Sequence, residues 1–164
     1  MRKYSRLPKY ERLVIDTVTI SNFIKVGKLN LICELYRSNL YVTEAVLIEL
    51  ENGNTDITGW IRDSKIKQAM FDYDMAIQKD LPEDLADGEI SCIVYGLKTN
   101  CAIATDDKVA RRAIRDICEH RKLTGTVGLL DELVQEELIT RQHAKELLEE
   151  MIEKGFWYKG DIPF

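Results

Sequence analysis

Asp16, Glu49, Glu89 and the adjacent pair Asp106–Asp107 are the residues of this chain best suited to do chemistry together. Asp16 ends the apolar run Leu13-Val14-Ile15, and Asp106-Asp107 end the run Cys101-Ala102-Ile103-Ala104-Thr105. Short apolar runs of this kind suit strands buried on both faces of a sheet. In an open parallel sheet the functional crevice lies beyond the carboxyl ends of the strands, so these aspartates can share one edge. Glu49 is expected on a helix and Glu89 in the first turn of another. Carboxylates gathered in one place repel and raise each other's pKa. A hard divalent cation, Mg²⁺ or Mn²⁺, removes that conflict because it prefers oxygen ligands. One or two such ions would lower the pKa of a bound water and stabilise charge on a phosphodiester. The chemistry expected is therefore metal-assisted phosphoryl hydrolysis, not acid–base work by two carboxylates alone.

The elements that must position these acids alternate along the chain. Leu13–Ile15 and Leu40–Val42 read as strands, and Thr43 is a natural cap for a helix carrying Val46, Leu47 and Leu50 on one side. Leu85–Leu97 reads as a helix stopped by Asn100. The buried strand 101–105 follows, then a helix from Lys108 to about Cys118. Lys122–Thr126 reads as a last short strand. Helices over Val127–Glu137 and Arg141–Lys154 close the chain, with Thr140 as cap and Gly155 as stop. Strands alternating with helices predict an α/β fold: a three-layer α/β/α arrangement around a central parallel sheet. The segment 52–84 carries the weakest signal and is read as variable, a family-specific insertion or a partner surface. The tail 156–164 is short and aromatic.

Length and composition bound the rest. The 164 residues suit a single domain with one core, and 45% apolar with 31% charged residues is an ordinary globular balance. A net charge of −5 excludes a bulk basic field, so any nucleic-acid contact must use a local patch. The four cysteines, Cys33, Cys92, Cys101 and Cys118, form no C-x-x-C pair and are read as reduced, mostly buried thiols. Two histidines without paired cysteines argue against zinc. No stretch approaches the ~20 apolar residues of a membrane span. The basic Met1–Glu11 stretch lacks the apolar region of a signal peptide, so a cytoplasmic protein is expected. There is no Gly-rich phosphate loop and no hydrolase elbow.

The motifs resemble those of a known family. Val14-Ile15-Asp16-Thr17 followed by Asn22 resembles the opening motif of PIN-domain nucleases. Tyr41-Val42-Thr43-Glu44-Ala45-Val46-Leu47-Ile48-Glu49-Leu50 resembles their second acidic motif. Leu85-Ala86-Asp87-Gly88-Glu89 resembles the G-E motif of one PIN-like subfamily, and Ala104-Thr105-Asp106-Asp107-Lys108-Val109-Ala110-Arg111 its D-D-x-x-A-R motif. Gly125-Thr126-Val127-Gly128-Leu129-Leu130 fits as well. The resemblance spans about residues 12–158. It implies a PIN fold, Mg²⁺ or Mn²⁺ dependence and cleavage of single-stranded RNA, with Asp16, Glu49, Glu89 and Asp107 catalytic. It also implies a toxin inhibited by a small antitoxin protein; a homodimer is a further partner considered. Thr17, Asn22 and Thr105 would support the acids. The residue two after Asp16 is usually small and polar in the family, and here it is Val18.

Each acid also has a plainer reading. Asp16 could be only a helix N-cap, Glu49 a solvated helix residue, and Glu89 a first-turn charge favoured by the helix dipole. Asp87 reads as the cap of the Glu89 helix. One of Asp106 and Asp107 could bind metal while the other caps the next helix. Asn22 could orient Asp16 by a hydrogen bond or satisfy a helix end. Lys108, Arg111, Arg112 and Arg115 recur at helical spacing as a basic stripe. They could contact RNA phosphates or form a solvated face. His120 and His143 read as surface residues. Val18 motivates an alternative function: a catalytically weak PIN-like module that acts by binding a protein or nucleic-acid partner.

Overall fold

The computed structural model describes residues 8–164, so most of the basic N-terminal stretch lies outside the described residues. The sheet has five parallel strands: β1 (Leu13–Ile15), β2 (Leu40–Val42), β3 (Lys67–Gln68), β4 (Ala102–Ala104) and β5 (Leu123–Thr124). Their order across the sheet is β3-β2-β1-β4-β5. Every residue of β1 and β4 is buried, as expected for strands covered on both faces.

Nine α-helices stand among the described residues: α1 (Thr17–Lys25), α2 (Leu29–Tyr36), α3 (Glu44–Asn52), α4 (Thr58–Arg62), α5 (Met75–Lys79), α6 (Asp87–Thr99), α7 (Lys108–Arg112), α8 (Thr126–Gln135) and α9 (Arg141–Glu153). On one side α6 packs on β1 and β4 and is flanked by α3, α5 and α7. On the other, α2 packs on β2 and α8, and α9 packs on α1 and α8. This is the three-layer α/β/α architecture expected from the alternating pattern. No helix of the described residues is long and apolar enough to cross a membrane.

Local signals explain most boundaries. Thr43 and Thr140 accept from the amides of Val46 and His143, capping α3 and α9. Asn100 ends α6 in the left-handed conformation. The weak segment is ordered differently from anything its sequence announces. It supplies edge strand β3, two exposed polar residues paired with Tyr41 and Val42. A strand that short has no alternation to read. Its burial comes instead from Ile57, Ile66, Ala69 and Leu81, which join the core.

Two expectations need correction. The helix after β4 is α-helical only to Arg112 and then takes a π-helical turn over Ala113–Ile117. A π turn holds more residues than an α turn, so the regular i, i+3, i+4 spacing does not continue through Arg115, although its charge still acts on Arg111. His120 is buried rather than on the surface. Its Nε2 lies 2.9 Å from the Cys101 carbonyl, a backbone group beside β4 that would otherwise need another partner. All four cysteines are free, and Cys33, Cys92 and Cys101 are buried.

Candidate active site

The order of strands along the chain reverses at β1. From β1 the chain steps outward to β2 and β3, then returns to place β4 and β5 on the other side. The crevice at such a switch point lies beyond the ends of the two central strands. Ile15 pairs with Ala104, and the Asp16 amide donates to the Ala104 carbonyl at 3.0 Å. Asp16 and Thr105 therefore face each other one residue past the ladder. That alone brings Asp16 to Thr105-Asp106-Asp107, as the sequence pattern implied.

Asp16 is 1% exposed. Its carboxylate accepts from the Thr19 amide at 2.9 Å, so it is also the N-cap of α1. Burial pushes its pKa up to about 7, against hydrogen bonds from Thr105 and Thr19 that pull the other way. The nearby charge of Asp106 raises it further. The capping reading thus holds, and it sets the carboxylate beside Asp106. Thr105 is bonded both to Asp16 and, through its hydroxyl, to the Asp107 amide at 3.3 Å.

Glu49 reaches the crevice from α3. It accepts from the Gly88 amide at 2.8 Å and from the Thr17 hydroxyl. It therefore joins the ends of β1 and β2 to the start of α6. Gly88 permits this, because a Cβ at that position would collide with the Glu49 carboxylate. Glu89, one residue on, is half-buried and accepts from the Ala86 amide at 2.9 Å. Burial raises its pKa, and the charges of Asp107, Glu49 and Asp84 add to that. Ala86, not Asp87, is the N-cap, because the Glu89 side chain turns back to serve that amide. Asp87 is exposed.

Asp106 and Asp107 divide their duties. Asp107 caps α7 by accepting from the Ala110 amide at 2.8 Å. Asp106 accepts from the Thr126 amide at 2.8 Å, from the Thr126 hydroxyl and from the Thr19 hydroxyl at 3.1 Å. It is braced between the first turns of α1 and α8. Gly125 allows the approach, since a Cβ there would meet the Asp106 carboxylate. Asn22 does not bond Asp16. Its amide donates to the Thr126 hydroxyl at 2.9 Å and so supports Asp106 through Thr126. The reason is position: Asn22 lies in the second turn of α1, beside Thr126 at the start of α8.

Val18 is 51% exposed and points out of the site. Thr19, buried, supplies the hydroxyl that meets Asp106. Sequence spacing alone could not tell which of the two faced inward. Thr126 was likewise missed as a site residue; its only signal was its place beside Gly125 at the start of the last helix pair.

The donor set is all carboxylate oxygen, which suits a hard divalent cation. None of the five acids forms an ion pair among the described residues. Asp16 in particular is a buried carboxyl with another acid beside it, an arrangement that a cation would stabilise. Among the described residues, no three such side chains stand together closely enough to hold an ion in their present rotamers. Loading would need these side chains to draw closer; Glu89 and Asp107 each bond an amide through one carboxylate oxygen.

The basic stripe separates into two kinds of residue. Arg111 is half-buried, and one guanidinium nitrogen donates to the carbonyls of Thr105 and Thr124, each at 2.8 Å. It ties together the ends of β4 and β5 and is not free for phosphate. The Thr105 carbonyl lies one residue past β4, and the Thr124 carbonyl, which also accepts the Thr105 amide at 3.0 Å, takes the guanidinium as a second donor. Lys108, Arg112 and Arg115 are exposed.

A family model described as a PIN domain matches residues 12–162 of the chain. No curated protein and no solved structure matches it.

Proposed function

Because the chain belongs to the PIN-domain family and has its nuclease-like fold, we propose that it is a Mg²⁺- or Mn²⁺-dependent endoribonuclease acting on single-stranded RNA. The carrying observation is the buried Asp16 carboxyl, set beside Asp106 at the switch point of the sheet with no ion-pair partner among the described residues. Asp16, Glu49, Glu89 and Asp107 would hold the metal, and Asp106 would brace the first turns of α1 and α8. A divalent ion bound there supplies a water of lowered pKa and neutralises charge on the phosphodiester. The chain's own part is to orient. Thr105 and Thr19 fix Asp16, and Gly88 and Thr17 fix Glu49. The acidic edge opens beside the exposed Lys108, which can meet an incoming phosphate. Similarity of the motifs to the family supports a toxin role with a small antitoxin partner, and the cytoplasmic expectation from the sequence is compatible with that role.

The test is cleavage of single-stranded RNA by the purified protein with Mn²⁺, against Asp16→Asn. Equal activity in the two would sink the assignment.

A second reading is a catalytically weak module that acts by binding. It is favoured by one observation: all five acids already serve the chain's own amides and hydroxyls as caps or braces. Titration calorimetry with Mn²⁺ separates the readings. Uptake that Asp16→Asn abolishes supports the nuclease; no uptake at millimolar metal supports the binding module.

A further inference from the structure

The C-terminal tail forms one wall of a groove of about 830 Å³ that runs over the ends of β4 and β5. Phe156 and Phe164 are buried and anchor the tail at both ends. The Phe156 amide bonds the Met151 carbonyl at 2.9 Å, and the Tyr158 hydroxyl bonds the Asp161 carbonyl at 2.6 Å. Between the anchors Trp157 stands 63% exposed. A large exposed indole has a hydration cost that packing elsewhere does not repay, so its position is informative.

Cations gather around that indole. The Lys108 ammonium lies 4.8 Å from the ring centroid and the Lys159 ammonium 5.4 Å. Lys9 also lines the groove, and all three lysines are exposed. The chain as a whole carries a charge of −5, so this local excess of lysine runs against the average. Asp106 and Asp107 line the groove at its inner end, which makes it continuous with the acidic crevice.

We propose that this groove is a nucleotide subsite: a base of a single-stranded nucleic acid stacks on Trp157 while the adjoining phosphates meet Lys108, Lys159 and Lys9. The chemistry matches on both counts. An aromatic face accepts any base, and flanking ammonium groups neutralise the backbone. The two lysines now rest against the indole, and phosphates would give their ammonium groups a new partner as a base arrives. The volume exceeds that of a single nucleotide's needs and lies in the usual range of ligand sites. Trp157 and Lys159 come from the tail and Lys108 from α7, so the subsite exists only where the tail folds back. The inference rests on the nuclease reading for its substrate class, but its test does not need cleavage.

The experiment is fluorescence anisotropy of a labelled single-stranded RNA hexamer in EDTA, where no cleavage occurs. Trp157→Ala should weaken binding roughly tenfold, the scale of one base-stacking contact, and Trp157→Phe should restore most of it. Lys159→Gln and Lys108→Gln should each lower the salt slope by about 0.7, the single-strand value per phosphate contact. Trp157 is exposed, so its variants should melt like the parent. Lys159→Gln keeps the question answerable if one of them does not. Unchanged affinity in Trp157→Ala together with an unchanged salt slope in Lys159→Gln overturns the subsite, as does a parent protein that binds no hexamer. Loss of hexamer binding in Trp157→Ala, with no Mn²⁺-dependent cleavage by the parent, supports the subsite and removes the nuclease reading.

Discussion

The acidic crevice and the tail groove adjoin, yet they are built in opposite ways. In the crevice every carboxylate is already held by donors of the chain itself: amides at helix starts and the hydroxyls of Thr17, Thr19 and Thr126. In the groove the lysines are exposed, Lys108 and Lys159 resting on an indole and Lys9 over the Tyr10 ring. The difference teaches where order is needed. Under the proposed function the acids would share a metal and could not wander, because misplacement by an ångström costs catalysis. Cations that follow a flexible strand gain from freedom. Arg111 makes the contrast within one helix: one turn after Lys108, it is locked to two carbonyls and belongs to the rigid part.

The comparison can be broken most forcefully at Asp16. Asp16→Asn should lower Mn²⁺-dependent cleavage at least about a hundredfold, since even partners of metal ligands cost ten- to a hundredfold. Binding of the RNA hexamer in EDTA should be unchanged, and a parallel loss there would show that crevice and groove are not separable. The same residue should govern stability. In the unfolded chain Asp16 titrates near 3.9, and in the fold at about 7. Between those values the folded state keeps a proton that the unfolded state has shed. Stability is therefore full below about pH 4 and falls as pH rises to about 7, by up to about 4 kcal/mol. Melting of the metal-free protein should follow that fall. Asp16→Asn should flatten it, and Mn²⁺ should restore the parent's stability above pH ~7 by favouring the ionised acid. A metal-free melting curve flat over this window would show that Asp16 does not keep its proton on folding.

Gly88→Ala tests whether Glu49 must stay where it is. A Cβ there displaces the carboxylate, and cleavage should fall by roughly ten- to a hundredfold, a positioning effect, with hexamer binding intact. Within α7, Arg111→Gln should cost about 2 kcal/mol of stability, the scale of hydrogen bonds from a charged group. Lys108→Gln should leave the melting temperature in place and change only the salt slope. Equal melting temperatures in the two variants would erase the distinction between locked and free cations. The smallest expected effect is Asn22→Ala, which removes one bond to Thr126; it should cost about 1 kcal/mol, read by denaturant unfolding, and lower cleavage only slightly.

The fold was legible where local chemistry is strong. Apolar runs ending in Asp16 and Asp106, together with threonine caps at Thr43 and Thr140, placed four strands and most helices. Strand β3 was not legible, because Lys67 and Gln68 pair only through the neighbouring edge of β2. The buried Glu132 gave no warning either. It sits inside α8 and accepts from the Tyr36 hydroxyl at 2.9 Å and the Lys9 amide, partners nearly a hundred residues or more away in the chain. The π turn over Ala113–Ile117 has no signature in residue type.

By itself the sequence determined which residue types stand at the ends of strands and the starts of helices. That was enough to gather Asp16, Asp106 and Asp107 on one edge, because a parallel sheet brings all its strand ends to the same side. Tertiary structure alone decided how the acids are held and which neighbours serve them. Thr19 rather than Val18 faces the site, Asn22 reaches Asp106 through Thr126 instead of reaching Asp16, and Arg111 turns inward to the carbonyls of β4 and β5. The physical reason is the range of the forces involved. Caps and apolar periodicity act within a few residues and leave their mark in the sequence. The partner of an inward-facing hydroxyl, amide or guanidinium is chosen by whichever acceptor the packed fold brings within reach, often from a distant part of the chain.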